Sequence, residues 1–211
     1  MIRATRDNGE DPLRRELVSG LAAARVQTDE LFSLVRAHAL LDRPIRERHR
    51  ILFYLGHLEA FDGNLILRDS LGRTPANEVF DRLFAFGIDP VGGELPDDEP
   101  GDWPSVAEVL SYDRGIREAL DAALAEISLD RPASPNLEAG WAVRLAIEHR
   151  LMHAETLTYM LQELPYEAKK PGPAPGPAGE TPPRRLVEIP AGRATLGLAR
   201  RSAPERGWDN E

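Results

Sequence analysis

Apolar residues recur every three or four positions along four separate stretches of the chain, the pattern of α-helices that each bury one face. The first stretch begins after Asp11-Pro12, an N-cap followed by proline at the first helical position, and continues to about Leu41. The second begins after Pro44 and continues to about Leu71, where a glycine stops it. The length of both suits a helical bundle better than isolated surface helices.

The third and fourth helices carry equally clear start and stop signals. Ser105 and Glu108 have the spacing of a capping box, in which each side chain bonds the backbone N–H of the other, and the helix that they open reaches Ile127. The fourth helix is predicted over residues 136–164 and ends before Pro165.

A long connection separates the second helix from the third. Residues 72–104 are rich in Gly, Pro and Asp, with only a short helical segment predicted at 77–86. Such a length lets the third helix cross over the bundle rather than pack as a hairpin neighbour. The predicted fold class is therefore all-α: a four-helix bundle with a long crossover connection.

The composition changes after the fourth helix. Residues 166–185 are dominated by proline and glycine and predict an extended linker. Two short strands are then predicted at 186–189 and 194–196, in a segment too short to bury a core of its own. The chain is thus divided into a helical domain at 1–165, the linker, and the truncated, β-containing start of a second domain at 186–211.

Composition excludes several classes of function. The formal net charge of −9 argues against a nucleic-acid partner, which would require a basic face. The chain has no cysteine, so disulfides, thiolate nucleophiles and cysteine-ligated metals are excluded. No apolar run approaches the length of a membrane span, and the N-terminus lacks the apolar region of a signal peptide. We therefore expect a cytoplasmic protein that binds neither nucleic acid nor membrane; the oligomeric state is left open.

The fourth helix carries the most informative pair of residues, His149 and His153. Residues four apart lie one turn above each other on one helix face, at a spacing that lets two imidazoles reach one metal ion. Such pairs also occur by chance in helices that bind nothing. The pair is not the zinc-protease motif, because Arg150 stands where that motif requires a glutamate.

A third histidine strengthens the metal interpretation. His57 lies on the apolar face of the second helix and reaches the pair if the second and fourth helices pack side by side. By contrast, His38 and His49 are interpreted as ordinary surface histidines. Glu155 is left out of the ligand set, because it lies on the other side of its helix from His153. Three imidazoles leave coordination positions open, and nitrogen ligands alone suit iron(II), zinc, nickel or copper. Metal should then be lost as the pH falls toward about 6, near the usual histidine pKa.

Several motifs, taken in order, resemble one known family. They are Gly56-His57 with Phe61, residues 105–110 with Tyr112, and His149 and His153 followed by Glu155. This part resembles the DinB-like N-terminal domain of ergothioneine-type sulfoxide synthases. Residues 187–192 and 208–211 resemble the opening of their second domain, which has the formylglycine-generating-enzyme (sulfatase-modifying factor) fold.

The resemblance implies iron(II) held by His57, His149 and His153, with zinc or nickel as alternatives. In that family the iron activates dioxygen to join the sulfur of a small-molecule thiol to the imidazole of a histidine betaine, which gives a sulfoxide. The resemblance identifies no catalytic residue in this chain. Two other interpretations stay open: a DinB-like metal-dependent thiol transferase, and a non-catalytic helical metal-binding module.

Overall fold

The computed structural model describes residues 11–88, 97–129, 132–172, 183–194 and 196. The chain divides into two units, Met1–Pro171 and Gly172–Glu211. In the first unit the described residues form five α-helices, which are α1 (Pro12–Ser33), α2 (Ile51–Asp62), α3 (Glu78–Phe86), α4 (Val106–Glu126) and α5 (Trp141–Glu163). The chain continues from α2 without a break into a π-helix, Gly63–Ser70. The predicted all-α fold class is confirmed.

The four long helices are the predicted ones, and α2 lies at the centre of their packing. It contacts α4 on one side and α5 on another, and the short α3 also packs against it. The predicted caps form: the Asp11 carboxylate accepts from Leu13 N at 3.0 Å, and Glu108 accepts from Ser105 N at 2.9 Å. None of the helices in the described ranges is long and apolar enough to cross a membrane.

The end of α1 differs from the prediction, because the helix stops at Ser33 instead of near Leu41. The backbone of residues 34–36 pairs instead with residues 168–170, through an antiparallel bridge between Val35 and Lys169. Two hydrogen bonds form this bridge, from Arg36 N to Ala168 O at 2.9 Å and from Lys170 N to Leu34 O at 2.7 Å. The amphipathic pattern continues past Ser33. The backbone of residues 34–36 nevertheless leaves the helix, because its polar groups bond to residues 168–170 instead of to a further helical turn.

The start of α2 is also later than predicted, at Ile51 rather than just after Pro44. Arg50, the preceding residue, connects the start of α2 by hydrogen bonds to Leu41 and Asp98. Its guanidinium donates to the Leu41 carbonyl at 2.6 Å and to the buried Asp98 carboxylate at 2.7 Å. Trp103 donates to the same carboxylate through its indole N–H at 2.7 Å. The predicted long connection is thereby fastened to the entrance of α2.

The start of α5 is set by a tight turn at Ala139 and Gly140, which have φ values of 49° and 72°. A Cβ atom at Gly140 would lie 2.3 Å from Leu17 Cδ1, so glycine permits both the positive φ and the close approach of α1. The helix therefore begins at Trp141, and residues 135–140 form a 3₁₀ turn instead of its predicted first turns.

In the second unit, the strand predicted at 186–189 is not seen, since the described residues 183–194 carry no regular secondary structure. The apolar side chains Leu186, Val187 and Ile189 are exposed. A strand needs a hydrogen-bonded neighbour, and among the described residues none pairs with this segment. The strand predicted at 194–196 falls partly outside the described residues.

Candidate metal centre

His57 is placed by a close packing of α3 on α2. The preceding residue is Gly56, and a Cβ atom there would lie 2.6 Å from the Phe84 ring, so glycine allows α3 to approach. The approach brings the Phe84 carbonyl within 2.6 Å of His57 Nδ1. Because a carbonyl only accepts, Nδ1 must carry the proton and donate it. The lone pair of His57 therefore lies on Nε2, which points away from α3 and toward α5.

The pair on α5 meets this nitrogen. His57 Nε2 lies 3.1 Å from His149 Nε2 and 3.1 Å from His153 Nε2. The two α5 nitrogens are themselves 3.1 Å apart. Three nitrogens from two helices thus form a nearly equilateral triangle. This arrangement agrees with the four-residue spacing of His149 and His153 and with the predicted packing of the second and fourth helices side by side.

The dimensions of this triangle fit one metal ion. Two nitrogens that each lie about 2.1 Å from an ion are about 3.0 Å apart at a right angle and about 3.4 Å apart at the tetrahedral angle. The observed 3.1 Å lies between these values and nearer to the right angle. Because the His57 Nε2 carries a lone pair, the triangle without a cation would need an Nε2–H on the His149 or His153 ring, whereas a cation accepts a lone pair from each of the three nitrogens. The three donors therefore fit a transition metal such as iron, zinc or nickel.

Burial keeps the three rings uncharged. Desolvation lowers the pKa of His57 to about 4 and that of His153 to about 3. It also lowers the pKa of His149, which is only 4% exposed, and the neighbouring His153 adds to the effect. Neutral imidazole is the form that binds metal, so the rings need to lose no proton near neutral pH.

Aromatic side chains fix the orientation of the rings. Phe61 stacks on His149 with ring centroids 3.6 Å apart and planes 11° from parallel. Phe53 stacks on His57 at 4.7 Å, and Tyr54 lies 5.5 Å from His153. These apolar faces restrict the rotation of the imidazoles and reduce the access of water to them.

The remaining candidates lie outside this centre. His38 is exposed, as predicted. His49 is partly buried against Phe53, with ring centroids 4.0 Å apart, so its interpretation as a surface histidine is wrong. Glu155 is exposed and is not part of the cluster, which within the described ranges consists of the three histidines alone.

A buried charge cluster that was not predicted from the sequence lies beside the histidines and is formed by Arg150, Glu59 and Asp62. Arg150 and Asp62 are 0% exposed and Glu59 is 1% exposed. Arg150 donates to Asp62 through Nε at 2.8 Å and to Glu59 through Nη2 at 2.5 Å. Burial raises the pKa of Asp62 above its usual range, although the Arg150 guanidinium counteracts it. Two features of the sequence could have indicated this cluster. One is the pair of acids on the otherwise apolar α2, and the other is the arginine that directly follows the candidate ligand His149.

A separate cavity of about 580 Å³ lies between α1 and α4, and none of the three histidines lines it. Asp113, which is 6% exposed, is one of the residues that line it. Burial and the Glu59 carboxylate raise the pKa of Asp113 to about 8. The cavity is lined by both apolar and charged side chains and is distinct from the histidine centre.

A helical bundle with three histidines converging from two of its helices is the class that this fold and site define. The sequence profile of the DinB superfamily matches residues 21–157, and the chain belongs to that superfamily. It is also 31% identical over 198 residues to the ergothioneine biosynthesis protein 1 of Neurospora crassa. The alignment covers 82% of this chain and 21% of that relative, so the chain spans about a fifth of the relative's length.

Proposed function

We propose that this chain is the metal-binding part of a non-haem iron oxygenase of the ergothioneine-synthase type. Such an enzyme forms a C–S bond and a sulfoxide between a small-molecule thiol and a histidine-derived betaine. The observation that carries the proposal is the triangle of His57, His149 and His153 nitrogens with sides of 3.1 Å. The similarity to a protein named for ergothioneine biosynthesis supports this reaction among those that such a centre can serve.

The proposed division of work follows from the contacts of the residues. His57, His149 and His153 hold iron(II), which when bound supplies the activation of dioxygen and a place for the thiol sulfur. The Phe84 carbonyl holds the proton of His57 on Nδ1, so that Nε2 is available as a ligand. Phe53 and Phe61 cover two of the rings and keep bulk water from them. A formylglycine-generating-enzyme-like domain, beginning at about residue 186, is proposed to complete the substrate site.

A metal-dependent thiol transferase is the second candidate. The DinB superfamily match ends at residue 157 and includes all three histidines, which favours a centre that works within the bundle alone. In that case the metal, which could then be zinc or nickel, would lower the pKa of a thiol and present it as a nucleophile. The third candidate, a non-catalytic metal-binding module, requires only the histidine triangle.

Product analysis separates these candidates. The iron-loaded protein, produced together with the whole of the domain proposed to begin at about residue 186, is incubated in air with a thiol and a histidine betaine, and the products are followed by mass spectrometry together with oxygen consumption. A sulfoxide formed with oxygen uptake supports the oxygenase. A thioether formed without oxygen uptake from the thiol and an added electrophile, whose leaving group departs with the bonding electron pair, supports the transferase instead, and metal binding without turnover of either kind supports the non-catalytic module.

A further inference from the structure

We infer that the buried charge cluster of Arg150, Glu59 and Asp62 is a positioning device for the metal centre, which fixes α2 against α5 so that the three histidines meet. The inference rests on the proposed metal centre. None of the three side chains is a proposed ligand, and their role is argued from where they lie on the two helices that carry the ligands.

The cluster lies directly beside the ligands in sequence. Arg150 follows His149 on α5, and Glu59 is two residues after His57 on α2. Successive helical residues point about 100° apart, so Arg150 leaves its helix in a different direction from His149. Each half of the metal site therefore has a member of the charge cluster within two residues of it, and any slide of one helix along the other moves both together.

The guanidinium of Arg150 fixes the position of α5 along the axis of α2 as well as the distance between the two helices. Arg150 bonds Asp62 through Nε at 2.8 Å and Glu59 through Nη2 at 2.5 Å, and the same Nη2 lies 3.4 Å from the Leu58 carbonyl. All these partners are on α2. Because a guanidinium is planar and its donors point in set directions, partners on two successive turns define an axial position as well as a separation. One turn of slippage, about 5.4 Å, would break every one of these bonds.

Glu59, one of the two acids that accept hydrogen bonds from Arg150, is also bound by a second arginine. Glu59 accepts a second bond through Oε1, from Arg117 Nε of α4 at 2.8 Å. The other nitrogens of Arg117 bond both carboxylate oxygens of Asp29 on α1 at 2.7 Å. Contacts from α4 and α5 thus meet at Glu59, and Asp29 of α1 holds Arg117 in turn, so the acceptor that Arg150 bonds is also held from α4.

Stability alone is a weak reason for such a cluster. Removing charges from water costs several kcal/mol per ion, and apolar residues of similar volume commonly stabilise a core at least as well. Apolar packing is non-directional, however, and tolerates small shifts that a metal site does not, since ligand distances must hold to about 0.2 Å. A directional buried cluster beside the ligands supplies the precision that the apolar contacts between α2 and α5 lack.

The test compares two buried arginines. Arg150→Met removes the guanidinium of the charge cluster. Arg25→Met is the matched control, because Arg25 is also buried and pairs with Asp121 at 2.7 Å, joining α1 to α4, neither of which carries a ligand. Cobalt(II) serves as the probe, and its affinity and visible absorption are measured on folded protein. We expect Arg150→Met to weaken cobalt(II) binding by about tenfold or more and to change the absorption bands. Arg25→Met should bind within about twofold of wild type.

Milder variants keep the test decisive if Arg150→Met does not fold. Arg150→Lys keeps the charge but cannot bridge two acids with a planar fork, and Glu59→Gln keeps the shape while weakening the bond to Arg150. Each should lose cobalt(II) affinity by a smaller factor, about threefold to tenfold, with altered absorption. Wild-type affinity and absorption in the folded variants would overturn this inference alone. Failure of the wild-type protein to bind any metal would overturn the proposed function as well.

Discussion

His57 shows how one backbone contact prepares a side chain for chemistry. The Phe84 carbonyl accepts a hydrogen bond from the Nδ1–H of this ring, and burial lowers the pKa of the ring to about 4. The sequence was sufficient to nominate His57, His149 and His153, because an i,i+4 pair and a histidine on an apolar face are visible in it. It could not show that α3 supplies the carbonyl, since Phe84 is twenty-seven residues from His57. Nor could it pair Arg150 with acids more than eighty positions away.

The lowered histidine pKa values change the pH dependence expected for the metal. From the usual histidine pKa, loss of metal is expected toward about pH 6. In the folded protein the pKa values of His57 and His153 are about 4 and about 3, so protons compete with metal only as the pH approaches those values. We expect metal affinity to change little between about pH 8 and 5.5, then to fall steeply near pH 4. Titration with cobalt(II) across this range tests it, and a midpoint near pH 6.5 would contradict the burial argument.

Asp113 leads to a prediction that the stability of the fold decreases as the pH rises, whereas metal binding is expected to weaken as the pH falls. Burial raises the pKa of this carboxyl group to about 8 in the folded protein, against 3.8 as the reference value. A raised acid pKa means that the folded state favours the neutral form, so stability is complete below about pH 4 and is lost as the pH rises toward 8. Asp113→Asn removes this loss. The variant should gain about 1–3 kcal/mol more stability at pH 8.5 than at pH 5.5, measured by urea unfolding. Equal effects at both pH values would show that Asp113 ionises freely.

At the scale of elements, the helices that local signals define were predictable and the ends that tertiary contacts define were not. The capping box at Ser105 marks the start of α4 in sequence and in structure. The end of α1 is instead set by the bridge between Val35 and Lys169, which joins residues far apart in the chain. The π-helix after α2 has no local signal of its own that distinguishes it from the α-helix predicted there.

The contact of α3 with α2 can be tested at Gly56. A methyl group there would meet the Phe84 ring at 2.6 Å, so Gly56→Ala should push α3 away and lengthen the bond between His57 and the Phe84 carbonyl. We expect a loss of about 1–3 kcal/mol in stability together with weaker metal binding. Gly115→Ala on α4 is the control, because nothing lies within 4 Å of an added Cβ. It should gain about 0.5–1 kcal/mol from helix propensity with unchanged metal affinity. An identical response of the two variants would rule out the role given to Gly56.

At the scale of the whole molecule, composition and periodicity were enough to predict the all-α bundle, because both are spread over the entire first unit. The second unit was less accessible, since the strand predicted at 186–189 does not form among the described residues. A short, mainly apolar run such as Leu186-Val187-Glu188-Ile189 resembles a strand whether or not a neighbour exists to pair with it. The chain spans about a fifth of the length of its Neurospora relative. The metal centre is proposed for this bundle, and the substrate contacts are proposed for the domain that begins at about residue 186.

Limited digestion with trypsin tests where the helical unit ends. Lys169 follows α5 and takes part in the bridge to Val35, so the backbone there is bonded on both sides. Arg184, Arg185 and Arg193 lie in an exposed segment without regular structure. The first cuts should fall after these arginines and leave a fragment that retains residues 168–170. Early cleavage after Lys169 would mean that the bridge opens readily.

The most direct test of the central claim is an anaerobic iron(II) titration of the wild type, His57→Ala and His38→Ala. The three-nitrogen triangle predicts one iron per chain in the wild type. His57→Ala should lose affinity by roughly a hundredfold or more, while His38→Ala, which replaces an exposed histidine outside the centre, should match the wild type. Unchanged affinity in His57→Ala, or the same loss in both variants, would contradict a metal centre built from α2 and α5.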